Sequence, residues 1–286
     1  MKLVALMVAC SLAADTLSEP VLGNWWQVDD KRTFVGANGA PVQTTVLTVD
    51  LTRARLRVVS VPFEAGKRPG GAELSLRQFA DVLATKPEYR NREWIAVNGG
   101  FSSYSADVPL GLLVVTGKVY STVAKERPRF GQSNSRSEYA QYRWSGILCE
   151  NAASGAWEIL AIARYTPGSC RQALQAGPVP VQPPRIVGIS PNEVKETAYV
   201  RTVLCLIDAS QVRVITTHSP VNLYPLAQWL SRPEVAAGLG CQSALNLSGD
   251  TSSGIVIQPA RGTPVSFGEG SFPLPTALIF EGRTGK

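Results

Sequence analysis

Short apolar runs, each bounded by turn-forming residues, recur along this chain, and two longer stretches carry a helical stripe instead. Alternating apolar and β-branched residues from Thr44 to Asp50 and from Arg55 to Val61 predict a pair of strands. Ser75 followed by Gln78 has the spacing of a capping box, in which each side chain satisfies an orphan backbone donor. Leu76, Phe79, Ala80 and Leu83 then fall at i, i+3, i+4 and i+7, so a helix is predicted there, stopped by Pro87. A second helix is predicted from Asn222, with Leu223, Leu226, Ala227 and Leu230 repeating the stripe. Pro225 is tolerated because first-turn N–H groups lack helical partners anyway. Further strands are predicted at Trp94–Val97, Leu110–Val115, Trp157–Ala163 and Val200–Ile207, the last paired as a hairpin with Gln211–Thr216. The uninterrupted run Val203 to Ile207 predicts a strand covered on both faces. The tail from Gly254 to Phe280 holds two or three short strands. The fold class expected is α+β, a strand-rich mixed sheet with two main amphipathic helices.

Several of these strands deliver the chain into small polar turns. The run Ala244-Leu245-Asn246-Leu247 breaks into Ser248-Gly249-Asp250-Thr251-Ser252-Ser253-Gly254, which carries hydroxyls, one carboxylate and glycines and almost nothing to bury. Such a turn lets backbone approach a ligand and its N–H groups bind an anion, although it is also an ordinary polar loop. Trp94 to Val97 leads in the same way into Asn98-Gly99-Gly100-Phe101, a sequence equally suited to a hairpin turn. Arg201 stands at the mouth of its strand, where a guanidinium either grips a phosphate through two parallel hydrogen bonds or pairs with a rim carboxylate. His218 is the only histidine and lies in a Thr-Thr-His-Ser-Pro loop, the setting of a surface residue more often than of a catalyst.

Composition narrows the classes. Charged residues make up 17%, below the roughly 25% of an average soluble domain, and no apolar run approaches the ~20 residues of a membrane-spanning helix. The net charge of +6 suits an anionic partner without demanding one. Residues 118–143 are the most basic stretch but are interleaved with Ser, Asn and Gln, the pattern of a solvated loop, so nucleic acid is not an expected partner. Met1-Lys2, the apolar segment Leu3 to Ala9 and Ser11-Leu12-Ala13-Ala14 follow the grammar of a short export signal over residues 1–14. Two other readings stay open, a lipoprotein signal with Cys10 as the lipidated residue and a buried first strand. Residues 15–43 are expected to be a lead-in and 44–286 the domain proper. The four remaining cysteines allow two disulfides in three connectivities; Cys149 and Cys170 flank a polar region and are the better candidate pair, whereas Cys205 and Cys241 sit in apolar surroundings, where a free thiol is a common core filler. There is no C-x-x-C spacing and no histidine cluster, so neither a metal nor a cofactor is expected.

The order of the parts resembles the phosphodiester glycosidase family. It is carried by Trp94-Ile-Ala-Val-Asn98-Gly99-Gly100-Phe101, Gly111 to Lys118, Gln175-Ala-Gly177-Pro178, Arg201-Thr202, Pro220 to Ala227, and Ala244 to Ser253. The resemblance spans about residues 44–280 and implies an exported α+β protein that cleaves a sugar from a phosphodiester, with an envelope polysaccharide as a candidate source of that bond. It implies a site lined by Asn98, Gly99, Gly100, Arg201, Gly249, Ser252 and Ser253, to which Ser248 and His218 are added as substrate-binding candidates. Two departures stand out. The family's Asp is replaced by Ser248, while a carboxylate appears two residues later as Asp250; a second aromatic after Asn-Gly-Gly is replaced by Ser102. Asp250, Arg201 and Asn98 are therefore the expected catalytic set, with Asp107 and Asp208 as alternative carboxylates.

Overall fold

The computed structural model describes residues 21–66, 73–102, 108–124, 145–190 and 198–283. The expected export signal, Cys10, Asp107 and most of the basic stretch lie outside the described residues. In chain order the first elements are β1 (Val21–Leu22), β2 (Trp26–Val35), β3 (Pro41–Asp50), β4 (Ala54–Ser60), helix α1 (Val61–Glu64) and helix α2 (Leu76–Thr85). There follow β5 (Trp94–Asn98), β6 (Leu113–Val115), β7 (Lys118–Ser121), β8 (Gly146–Asn151), β9 (Trp157–Ala161) and β10 (Cys170–Ala176). The last part carries β11 (Val181–Gln182), β12 (Ile186–Val187), β13 (Thr202–Leu206), β14 (Gln211–Thr217) and helix α3 (Leu223–Ser231). It ends with β15 (Ser243–Asn246), β16 (Gly254–Gln258), β17 (Val265–Gly268) and β18 (Thr276–Gly282).

These strands form three sheets, in the orders β1-β2-β3-β14-β13-β15-β11-β12, β7-β6-β10-β8-β9 and β17-β16-β5-β18-β4. Every named pairing is antiparallel, so the expectation of a mixed sheet is corrected. Period-2 alternation decides which face each residue serves. In β13, Leu204 and Leu206 join a central core to which all three sheets contribute, including Leu47, Val58, Val97, Leu148, Leu174 and Leu245. Val203 and Cys205 point the other way and pack with Leu223, Leu226, Ala227 and Leu230 of α3. The continuous apolar run is thus covered on both faces. Helix α2 plays the same part for the third sheet, where Leu76, Phe79, Ala80 and Leu83 pack on Val59, Ala96, Val256 and Ile279. Burying each such leucine or phenylalanine contributes about 1.5–3 kcal/mol. The capping box at the start of α2 is formed, with Gln78 N donating to Ser75 Oγ at 3.3 Å and Ser75 N donating to Gln78 Oε1 at 3.0 Å.

Three readings of the sequence are revised. The lead-in contains β1 and β2, and β2 pairs with β3 along most of its length. Its charged residues, Asp29 to Arg32, obscure the alternation because they coincide with a register shift in that pairing. The polar region between Cys149 and Cys170 ends in strands rather than loops, since β8 and β10 pair directly and the disulfide Cys149–Cys170 joins them. Cys205 and Cys241 are not free thiols but form a second disulfide, buried beneath α3. An apolar environment suits a disulfide as well as a thiol, so local hydrophobicity does not tell the two apart. No helix among the described residues is long and apolar enough to cross a membrane.

Candidate functional site

Strand ends from all three sheets converge on one small cleft. The end of β15 continues through Leu247 to Ser248, and Leu247 N donates to Thr202 O at 2.8 Å, placing Arg201 beside the turn that follows. Ser248 N donates to Gly99 O at 2.9 Å, which ties this turn to the exit of β5. The exit of β10 is joined by two further bonds, Gly177 N to Asn246 O at 2.9 Å and Asn246 N to Pro178 O at 3.0 Å. The resulting cavity, about 280 Å³, is lined by Phe101, Pro178, Tyr199, Arg201, Asn246, Ser248, Gly249 and Asp250, with Gly177 completing the wall.

Asn98 does not line the cavity but holds it together from behind. It is fully buried, its Nδ2 donates to Ser248 O at 2.7 Å, and its Oδ1 accepts from Gly254 N at 3.0 Å. One amide thereby clamps both ends of the Ser248–Ser253 turn. Gly99 and Gly100 are packing necessities. A Cβ on Gly99 would lie 2.5 Å from Thr276 Oγ1, and one on Gly100 would lie 2.8 Å from Gln175 O. Gly249 lies against Val200 in the same way, 2.7 Å from its carbonyl oxygen if a Cβ were added. Ser252 and Ser253 are buried under the turn, Ser253 donating from Oγ to Val200 O at 3.4 Å.

Arg201 carries the positive charge of the cleft. Only 6% exposed, it donates from its backbone N to Thr217 Oγ1 at 2.9 Å and from Nε to Val221 O at 3.5 Å. Its guanidinium carbon lies 5.0 Å from the centre of the Tyr199 ring, a cation–π contact that orients the group. Asp250 is exposed and is the one carboxylate among the described residues lining the cavity. Its backbone has φ +53°, in the left-handed region, and its N donates to Val200 O at 2.8 Å. A non-glycine side chain rarely adopts that φ, although aspartate does so more readily than most. Asn246 is 1% exposed, with Nδ2 donating to Gly177 O and to Leu247 O, both at 3.0 Å. Its buried Oδ1 accepts no hydrogen bond from the described residues.

Of the residues expected from the sequence, Arg201, Ser248, Gly249 and Asp250 therefore meet in the cavity. Asn98, Gly99, Gly100, Ser252 and Ser253 form the layer that shapes it. His218 stands apart: its Nε2 is 2.8 Å from Thr45 Oγ1, so its ring is engaged with β3 and does not line the cavity. Asp208 sits in the turn at the far end of β13 from Arg201 and is occupied by Ser210 N and Oγ, each at 2.7 Å, so it is not an alternative carboxylate for the cleft. Among the described residues, no group of three or more His, Cys, Asp or Glu side chains is placed to hold a metal. Sequence reasoning missed Asn246 and Tyr199 as lining residues. Asn246 sits inside an apolar run, and Tyr199 lies two residues from Arg201, on the same side of an extended segment, which is the only signal available for it.

The comparisons with known proteins bear on this arrangement. The sequence model of the phosphodiester glycosidase family matches residues 91–281, a stretch that holds β5, Arg201 and the Ser248–Ser253 turn. No curated protein sequence matches the chain. Among solved structures, the catalytic domain of zebrafish N-acetylglucosamine-1-phosphodiester alpha-N-acetylglucosaminidase, auto-inhibited by its pro-peptide, is similar with a TM-score of 0.54 and 12% identity. The likeness covers 91% of this chain and 89% of that one. A hypothetical protein from Synechocystis is similar with a TM-score of 0.53 and 14% identity, over 90% of this chain, which spans 62% of that protein's length. At these identities the structural likeness speaks to the fold alone. The family match extends over more than half of the chain and includes every strand exit that builds the cleft, and the chain belongs to the phosphodiester glycosidase family.

Proposed function

We propose that this protein is an exported glycosidase-like hydrolase that cleaves a sugar–phosphate diester, with an envelope polysaccharide as the natural source of that bond. The observation that carries this reading is the meeting of the Arg201 guanidinium and the Asp250 carboxylate in one cleft of about 280 Å³. The family supports the class of bond, since a departing phosphate monoester is already a stable anion and needs little protonation. The requirements are charge complementarity at the phosphate and a carboxylate near the sugar. Arg201 serves the first. Asp250 serves the second, accepting the proton of a water whose oxygen attacks the anomeric carbon as the bond from that carbon to the phosphate oxygen breaks. Export is supported by the two disulfides and by the signal-like grammar of residues 1–14, with an anchor through Cys10 as its lipoprotein variant.

A second reading is favoured by one specific observation. Ser248 occupies the family's Asp position, and Asp250, two residues on, is exposed. A displacement of ~1 Å in a reacting group costs on the order of 100-fold in rate. A binder of carbohydrate or phosphate that keeps the cleft without turnover is the alternative. Hydrolysis of a chromogenic sugar phosphodiester separates the two. Turnover by the wild type that is lost in both Arg201→Ala and Asp250→Asn supports the hydrolase. Saturable binding without turnover, weakened in Arg201→Ala, supports the binder. Neither turnover nor binding refutes both.

A further inference from the structure

Tyr199 and Arg201 both line the cleft, and both are tied to a single residue of the opposing segment, Val221. Tyr199 forms an isolated antiparallel bridge with Val221. In it, Tyr199 N donates to Val221 O at 3.3 Å and Val221 N donates to Tyr199 O at 2.8 Å. The same Val221 O accepts from Arg201 Nε at 3.5 Å. Val221 is buried and belongs to the apolar cluster that seats α3 on β13. The bracket around Arg201 is therefore anchored in the core.

Two different restraints act on the guanidinium. The bond from Nε holds one edge of the group, and a planar cation held at one edge can still swing about that bond. The Tyr199 ring, with the guanidinium carbon over it at 5.0 Å from the ring centre, opposes that swing. Arg201 is largely buried, so the contact is made in a desolvated setting, where cation–π attraction is strongest. The Tyr199 hydroxyl, by contrast, makes no hydrogen bond with the described residues. What Tyr199 gives Arg201 is its ring. A cation oriented before the ligand arrives has less freedom to lose on binding, which strengthens its hold on an anion.

We infer that Tyr199 is a positioning residue for Arg201, acting through its ring and not its hydroxyl to preset the guanidinium for an anionic group. The inference rests on the reading of the cleft as a phosphate site, and its test is built to fail separately. Tyr199→Phe keeps the ring, whereas Tyr199→Leu replaces it with an aliphatic side chain. The first readout is the Nε–H resonance of Arg201, assigned by its loss in Arg201→Lys. It is expected to hold its wild-type position in Tyr199→Phe and to shift and broaden in Tyr199→Leu, while the amide resonances of α3 stay in place. The second readout is inorganic phosphate, titrated by calorimetry at low ionic strength. Its dissociation constant is expected to rise about tenfold or more in Tyr199→Leu and to stay within about twofold of wild type in Tyr199→Phe. An Arg201 Nε–H signal that is unchanged in Tyr199→Leu overturns the inference, as does equal weakening of phosphate binding in the two variants. If the wild type takes no phosphate, the reading of the cleft fails, and the Nε–H signal by itself decides the role of Tyr199.

Discussion

The residues of the cleft separate into those that present chemistry and those that hold shape, and the two kinds respond differently to substitution. Asp250 is the clearest case of conflict between the two demands, because its carboxylate lines the cavity while its backbone sits at φ +53°. Glycine relieves that strain. Asp250→Gly is therefore expected to raise stability by about 1 kcal/mol while lowering turnover by roughly 100-fold or more, if the carboxylate acts as a general base. Denaturant midpoints and turnover on the same sample check this, and a variant that loses stability and activity together would contradict it. Asn98 behaves in the opposite way. It touches no ligand space, yet Asn98→Ala removes a buried donor and a buried acceptor from Ser248 O and Gly254 N at once. A loss of about 2–4 kcal/mol is expected by chemical denaturation, at roughly 1–2 kcal/mol for each bond broken.

The elements differ in how far local sequence specifies them. Helix α2 is legible because its stripe and its capping box agree, and Ser75→Ala is expected to cost about 1 kcal/mol, read as a shift in thermal or denaturant midpoint. Strand β10 shows the opposite situation. Its buried Gln172 and Gln175 interrupt any apolar pattern, yet each carries an ordering hydrogen bond to another element. Gln172 Oε1 accepts from Val58 N at 2.8 Å, joining the sheet of β10 to that of β4. Gln175 Oε1 accepts from Leu112 N and Ala124 N, both at 2.9 Å, and so supports the segment beside the cleft. A buried amide looks polar in sequence and acts as part of the core in three dimensions. That inversion is why β10 escapes a reading by hydrophobicity while β13 does not.

At the scale of the molecule, stability is shared between one central core, two disulfides and a few buried charges. The loop closed by Cys205–Cys241 spans 36 residues and includes α3, so a Cys205→Ser/Cys241→Ser protein is expected to lose about 2–4 kcal/mol, measured by denaturation of the non-reduced forms. Glu150 supplies an acid-sensitive contact. Burial raises its carboxyl pKa, but hydrogen bonds from Arg171 and from Gln172 Nε2, the latter at 2.6 Å, outweigh that and hold it below the ordinary glutamate value. A depressed pKa contributes stability above the unfolded-state value and loses it as pH falls through the folded one. Midpoints measured from pH 7 downward should therefore fall less steeply in Glu150→Gln than in the wild type. By itself the sequence determined the strand-rich class, both principal helices, Cys149 and Cys170 as the better candidates for a disulfide, and the polar strand exits that follow Val97 and Leu247, because these depend on periodicity, caps and composition within short windows. Only the tertiary structure decided that β2 belongs to the main sheet, that Cys205 reaches Cys241, that His218 turns to Thr45, and that Tyr199 and Asn246 wall the cleft. Each of those facts depends on which strands pair and in what register, and pairing is settled by contacts between residues far apart in the chain, which no local pattern records.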